Sequence, residues 1–268
     1  MFYNTKNENI KIGSTDMDLV SFGKGDKCLI MIPGLSDGLK TVRGTAIVMA
    51  MMYKCFANSH KVYVLSRKNN LGEGYSTRDM AADYKKALEK LGISKADVFG
   101  ISQGGMIAQY IAIDYPELVE RLVLAVTLSR QNETVQKVIS SWIKMAEQND
   151  YKSIFIDTAE KSYTEKRLKK YRPLYPLLSR IGKPKNLGRF IIQANACIGH
   201  DAYNELDKIK CPTLVIGVDN DKVVGAKTSE NIAEKIKNSK LIIYDGYGHC
   251  VHEEAKDFNQ QILGFLMS

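Results

Sequence analysis

Prolines are scarce, six in 268 residues, and tryptophan occurs once. No apolar run is long enough to cross a bilayer. The most apolar early stretch, residues 46–53, reads as a buried helix. The polar start, Met1-Phe-Tyr-Asn-Thr-Lys-Asn-Glu, lacks the apolar core of a secretory signal. Cysteine is limited to Cys28, Cys55, Cys197, Cys211 and Cys250, an odd number without paired spacing. That set excludes a disulfide framework and leads us to expect reduced thiols and a cytoplasmic location. Of the four histidines, His249 and His252 have the look of half a metal site, but the sequence offers no third ligand, so no metal is expected. Repeats, low-complexity tracts, a phosphate-binding loop and a dinucleotide fingerprint are all missing. No cofactor is therefore expected.

The length and an ordinary balance of 44% hydrophobic and 25% charged residues suit one large domain with an insertion. Short strands with Asn, Gly and Asp turns, expected to be antiparallel, fill residues 2–22. Strand-like and helix-like segments then alternate: a strand at Cys28–Ile32, a helix at Ala46–Phe56, a strand at Val62–Leu65. Ser76-Thr-Arg-Asp79 reads as a capping box opening a helix to Leu91. Strands follow at 96–99 and 122–126. From Pro212 the alternation resumes with a strand, a helix at 226–237, a strand at 240–244 and a final helix. Such alternation predicts a mainly parallel sheet flanked by helices, with ligands beyond the strands' carboxyl ends.

Residues 98–105, Val-Phe-Gly-Ile-Ser-Gln-Gly-Gly, carry the strongest chemical signal. Gly100, Ser102 and Gly104 form Gly-x-Ser-x-Gly between a buried strand and a helix. A serine on such a tight turn stands exposed above the sheet, beside the first amides of the helix. A serine hydroxyl needs a base, and in this arrangement the partners follow in the order serine, acid, histidine. His60 and His200 are in the wrong places. His249 sits in Asp245-Gly-Tyr-Gly-His249, a glycine-bearing loop between a strand and the terminal helix. The acid belongs after the strand at Pro212–Gly217, where Asp219 and Asp221 compete and Asp221 is favoured. It would accept the imidazole Nδ1–H and fix the tautomer.

These segments resemble the α/β-hydrolase superfamily over nearly the whole chain. Asp221-Lys-Val-Val-Gly225 matches the family's acid segment, with Val218 where Gly is usual and Gly225 where Pro is usual. Gly248-His249, Glu253 and Phe265-Leu266 match its closing segment. Met31-Ile-Pro33-Gly34-Leu35 stands for its early His-Gly segment and departs from it at Pro33. The resemblance implies an oxyanion hole made by the backbone N–H groups of Leu35 and Gln103. The family's Asp-x-Arg-Gly-x-Gly-x-Ser stretch reads Ser66-Arg-Lys-Asn-Asn-Leu-Gly72-Glu-Gly74-Tyr-Ser76 here, and no function is drawn from it.

Between Leu128 and His200 the alternation stops. The segment is helical in period, rich in Lys and Tyr, and broken at Pro173, Pro176, Gly182 and Pro184. Residues 1–127 and 201–268 are thus expected to form the hydrolase core and 128–200 a helical cap. The cap segment holds 14 Lys/Arg against 6 Asp/Glu, an excess equal to the +8 of the entire chain. A solvated surface accounts for it, as do anionic substrates, a membrane surface or an acidic partner. Nucleic acid is not expected, since no binding motif accompanies the charge. Trp142, Met145, Phe155, Tyr163, Tyr171 and Tyr175 are candidate linings of an apolar acyl pocket.

The expected partner is a small molecule, and the oligomeric state is open. The expected chemistry is hydrolysis of a carboxylic ester or related acyl bond through an acyl-enzyme. The same residues also suit acyl transfer, carbon–carbon bond hydrolysis or lyase chemistry. A receptor that kept the pocket and lost turnover is the rival of another class.

Overall fold

The computed structural model describes residues 2–268. Eight strands form one sheet: β1 (Lys6–Ile12), β2 (Thr15–Phe22), β3 (Lys27–Ile32), β4 (His60–Lys68), β5 (Ala96–Ile101), β6 (Val119–Ala125), β7 (Thr213–Val218) and β8 (Ser239–Tyr244). Their order is β1-β2-β4-β3-β5-β6-β7-β8. The pairs β1/β2 and β2/β4 are antiparallel, and every other pair is parallel.

Residues alternate between the two faces with period two. On β3, Ile30 and Ile32 enter one apolar layer and Leu29 and Met31 the other. On β7, Val215 faces the first layer, and Leu214, Ile216 and Val218 face the second. Helices α2 (Thr77–Lys90) and α3 (Gln103–Asp114) cover the first face with Met80, Tyr84, Leu88, Ile107 and Ile111. Helix α1 (Ala46–Met52) and the C-terminal helix cover the second with Ala50, Phe258, Ile262 and Leu266. Burial on both faces explains why β5 and β7 are buried at every position.

Ser76 accepts from the Asp79 N–H and Asp79 reaches back to the Ser76 N–H, the capping box that starts α2. The apolar run at 46–56 is less regular than its sequence suggests: α1 ends at Met52 and a 3-10 turn covers Lys54–Phe56. Tyr53 and Phe56 both turn into the core there, and 3-10 spacing aligns side chains three apart. The final helix is also two pieces, α10 (Val251–Glu254) and α11 (Phe258–Leu266), parted at Ala255 in extended conformation.

Between β6 and β7 the chain leaves the sheet and forms α4 (Glu133–Glu147), α5 (Tyr151–Ser162), α6 (Glu165–Tyr171), α7 (Tyr175–Leu178) and α8 (Gly188–Ile198). Helix α9 (Thr228–Lys235) links β7 to β8. After β3 the chain passes outward to β4 and then returns to the other side of β3 as β5. The loops after β3 and β5 therefore diverge over opposite faces. That switch opens a crevice at the strands' carboxyl ends, where open α/β sheets hold ligands.

Candidate active site

Both walls of this crevice carry chemistry. The loop after β5 is the sharp turn at Ser102, whose backbone sits at φ 54°, ψ −120°. A non-glycine residue there is strained, so the surroundings must hold it. The Ser102 N–H donates to the Ala125 carbonyl at 2.9 Å, and the Thr127 hydroxyl donates to the Ser102 carbonyl at 2.7 Å. Close backbone packing completes the turn. A Cβ on Gly104 would lie 2.0 Å from the Ile32 carbonyl oxygen, and one on Gly100 2.3 Å from the Gly104 carbonyl oxygen.

Three side chains from distant segments meet above the sheet. His249 arrives on the loop after β8, and its Nε2 lies 3.0 Å from Ser102 Oγ. Its Nδ1 lies 2.8 Å from Asp221 Oδ2. A carboxylate only accepts, so Nδ1 carries the proton and Nε2 is free to accept from the serine hydroxyl. The other Asp221 oxygen accepts from the Val223 and Val224 N–H groups at 2.8 and 2.9 Å, which fixes the carboxylate. Of the two competing aspartates, Asp221 is the one that reaches His249. Asp219 is exposed and accepts from the Gly246 N–H at 3.1 Å, steadying the turn that leads to His249. Gly225, where the family usually has Pro, adopts φ +91°, which a proline ring cannot reach.

The candidate oxyanion donors flank the same point. Leu35 opens a 3-10 turn, Leu35–Gly38, and Gln103 opens α3. First amides of helical turns have no intrahelical acceptor. The two segments are close: a Cβ on Gly34 would lie 3.4 Å from Ser102 Cβ.

Beneath them lies a buried polar network that the motif reading missed. Gln103 is fully buried, and its Oε1 accepts from Arg67 Nη2 at 2.8 Å. Its Nε2 donates to the Gln193 carbonyl at 2.6 Å and faces Cys197 Sγ at 3.1 Å. Asp37 accepts from the Arg67 N–H, from Arg189 Nη2 and from Gln193 Nε2. The network thus ties the Leu35 turn, the serine turn, β4 and α8 together. The stretch Ser66–Ser76 that yielded no function supplies Arg67. Nothing in the sequence marked Thr127 or Gln193, because single polar residues carry no spacing signal.

The helical insertion lies over this region. Trp142 is buried in an apolar cluster with Leu35, Met106, Leu128, Phe190 and Val224, and Met145 packs against it. Trp142 Nε1 donates to Asp157 Oδ2 at 2.6 Å. The other four candidates pair among themselves. Phe155 meets Tyr175 edge-on at 5.9 Å, and Tyr175 donates to Glu160. Tyr163 meets Tyr171 at 5.2 Å and donates to Glu253 at 2.7 Å.

The remaining histidines have structural settings. His60 is buried against Asp97, and His200 lies between Thr77 and Gln109. Burial pushes His200 down to about 3 and His252 down to about 4, so both are neutral at pH 7. His252 does have neighbours that the sequence did not reveal: its ligand atom and those of Cys250 and Glu253 lie within 4.8 Å of one another. Residues Cys250, His252 and Glu253 are the group among the described residues able to hold a metal. Yet burial raises the Cys250 thiol, and Glu253 already accepts from Tyr163. No helix among the described residues is long and apolar enough to cross a membrane.

Known proteins share this fold. The chain is 26% identical over 259 residues to a 2-hydroxy-6-oxononadienedioate/2-hydroxy-6-oxononatrienedioate hydrolase of a Pseudomonas species, covering 91% of this chain and 89% of that protein. The structure of MGS-M2, an alpha/beta hydrolase enzyme from a Medee basin deep-sea metagenome library, superposes with TM-score 0.84 at 22% identity, covering 97% of this chain and 98% of that one. The enol-lactonase of Burkholderia xenovorans LB400 superposes with TM-score 0.84 at 16% identity, over 97% of this chain and all of that one. A family model described as alpha/beta hydrolase fold matches residues 29–256, a span running from β3 through the loop of His249, and the chain belongs to that family.

Proposed function

We propose that the protein is a serine hydrolase that cleaves a carboxylic ester or a related acyl bond through an acyl-enzyme. The observation that carries this reading is the continuous contact Ser102 Oγ–His249 Nε2–Asp221 Oδ2, at 3.0 and 2.8 Å. As Ser102 Oγ attacks the carbonyl carbon, its proton passes to His249 Nε2. The carbonyl oxygen becomes an oxyanion facing the Leu35 and Gln103 N–H groups, donors fixed before the charge develops. Asp221 stabilises the imidazolium. Collapse of the tetrahedral intermediate expels the leaving group, which takes the proton from His249. Water, deprotonated by the same imidazole, then attacks the acyl-Ser102 ester and releases the acid. Helices α4–α8 act as a cap, with the cluster around Trp142 and Leu35 forming its apolar underside.

A second reading is carbon–carbon bond hydrolysis on the same residues. It draws on the relative named for hydrolysis of an oxononadienedioate, which aligns over 91% of the chain. A fluorophosphonate probe, with acetyl and longer p-nitrophenyl esters, tests the first reading. Wild type is expected to be labelled and to turn over esters. Ser102→Ala, folded by circular dichroism, loses labelling and on the order of 10⁴-fold or more of turnover. Retention of a tenth of the activity in that variant would remove Ser102 from the role of nucleophile. Labelling without ester turnover favours the second reading. Absence of both leaves a receptor.

A further inference from the structure

The proposed acyl chemistry leaves the chain's positive excess without a role, and its placement is unusual. Residues 172–181 follow a continuous helical path. A 3-10 turn at Arg172–Leu174 leads into α7, and bonds from the Arg180 and Ile181 N–H groups to the Leu177 and Leu178 carbonyls extend it. Tyr175 and Ser179 face inward and are buried. Leu174, Leu177 and Ile181 face outward, 46%, 60% and 60% exposed. Steps of three and four place these three on one face. The pattern inverts that of a segment adapted to water, with a hydroxyl inside and aliphatic side chains outside.

Cations surround this face in the sequence. Lys166, Lys169 and Lys170 on α6, and Arg180, Lys183 and Lys185 after α7, are all exposed. None forms an ion pair among the described residues. The one acid between 165 and 186, Glu165, is taken by Arg172 together with Glu160. A solvated face does not need three exposed aliphatics, and protein interfaces are depleted in lysine. Aliphatic tips flanked by flexible lysines match the boundary of an anionic bilayer, where apolar groups enter the acyl region and ammonium groups reach lipid phosphates. The other exposed apolar face, Ile47, Val48, Met51 and Met52 on α1, is flanked by exposed Arg43 and Lys54, against six exposed cations beside Leu174, Leu177 and Ile181.

We propose that residues 166–185 dock the protein on an anionic phospholipid surface, with Leu174, Leu177 and Ile181 seated at the headgroup–acyl boundary and the lysines on phosphate. The docking does not depend on which bond the site cleaves. The residues just before α6 link the two regions: Tyr163 donates to Glu253 and the Thr164 hydroxyl to Glu254, a few residues beyond His249.

Sedimentation of the full chain with vesicles tests the proposal. Vesicles of phosphatidylcholine alone are compared with vesicles of phosphatidylcholine and phosphatidylglycerol in equal parts, at low and high salt. The expected result is binding to the anionic vesicles, weakened by salt as surface charge is screened. The bound fraction should fall about tenfold in the double variant Leu177→Asp/Ile181→Asp, and again in Lys166→Glu/Lys169→Glu/Lys170→Glu. Ser102→Ala should bind as wild type does. Met51→Asp, on α1, should also leave binding unchanged. Absence of binding, equal binding to both vesicles, or loss through Met51→Asp alone overturns the proposal. So does a dimer in light scattering that Leu177→Asp/Ile181→Asp dissociates while vesicles bind nothing, since the face is then covered by a second copy. Salt-sensitive preference for anionic soluble esters without vesicle binding assigns the charge to substrate choice and overturns it likewise.

Discussion

Arg67 donates from Nη2 to Oε1 of Gln103 at 2.8 Å, inside the protein and directly beneath the serine turn. Gln103 is therefore held at both ends of its amide, by Arg67 on β4 and by the Gln193 carbonyl on α8. Its own N–H is a candidate oxyanion donor, so the side-chain anchors fix the direction of a backbone dipole. Removing an oxyanion donor outright costs about 10²–10³ in kcat. Loosening one should cost less.

Gln103→Ala is accordingly expected to lower kcat about tenfold to a hundredfold with little change in KM, since the lost alignment matters most in the transition state. The affinity of a trifluoromethyl ketone, which forms the oxyanion, should fall in proportion to kcat/KM. If kcat is unchanged, or if KM alone rises, the anchoring is structural only.

The two aspartates after β7 separate by partner. Asp221→Asn offers His249 an amide that favours the wrong tautomer, and activity should drop by about 10⁴. Asp219→Asn keeps an acceptor for the Gly246 N–H and should retain activity within about twofold. Steady-state ester hydrolysis by the two purified variants decides the matter, and a reversed ranking would transfer the role to Asp219.

Residues with positional signatures are legible in the sequence alone. Gly-x-Ser-x-Gly, the late Gly-His and the strand–Asp pattern report a fold's recurring geometry, because each requires particular residue types at fixed steps. Alternating strands and helices gave the parallel sheet by the same logic. What stayed hidden depends on long-range contact. Asp37, Arg67, Gln103 and Gln193 are drawn together from four segments, and no local pattern in any one of them announces the others. The Asp219–Asp221 ambiguity has the same origin: two residues apart, they differ only in which way the loop turns. The basic run of the insertion was visible, but the outward face of Leu174, Leu177 and Ile181 needed the helical path through Pro176 to be seen.

Gly104 offers a test of the serine turn that does not touch the reacting atoms. A Cβ there would sit 2.0 Å from the Ile32 carbonyl oxygen, which belongs to backbone and has nowhere to move. Gly104→Ala should therefore destabilise the fold by about 3 kcal/mol, the upper range for an overpacked core. Urea unfolding reads this directly. A midpoint within error of wild type would mean that the turn tolerates a wider spacing between α3 and β3.

Acid should weaken the fold through His200. Its imidazole is buried between Thr77 and Gln109, with the ring edge-on to Tyr110 at 5.2 Å. Burial disfavours its charged form and lowers it from an ordinary 6.5 to about 3. In the window between those values the unfolded chain binds a proton at this residue and the folded chain does not, so stability rises with pH there. The contribution is fully present above 6.5 and is lost progressively as pH falls toward about 3. His252, lowered to about 4, acts in the same direction. Thermal midpoints measured from pH 7 down to pH 4 should decline for wild type and decline less steeply for His200→Gln, which cannot take up a proton. The absolute midpoint of the variant will be lower because the fit between Thr77 and Gln109 is altered. The slope is the informative quantity, since every other titrating group is common to both proteins. Parallel pH profiles would show that His200 protonates within the folded state, and that its pocket admits a charge at no cost.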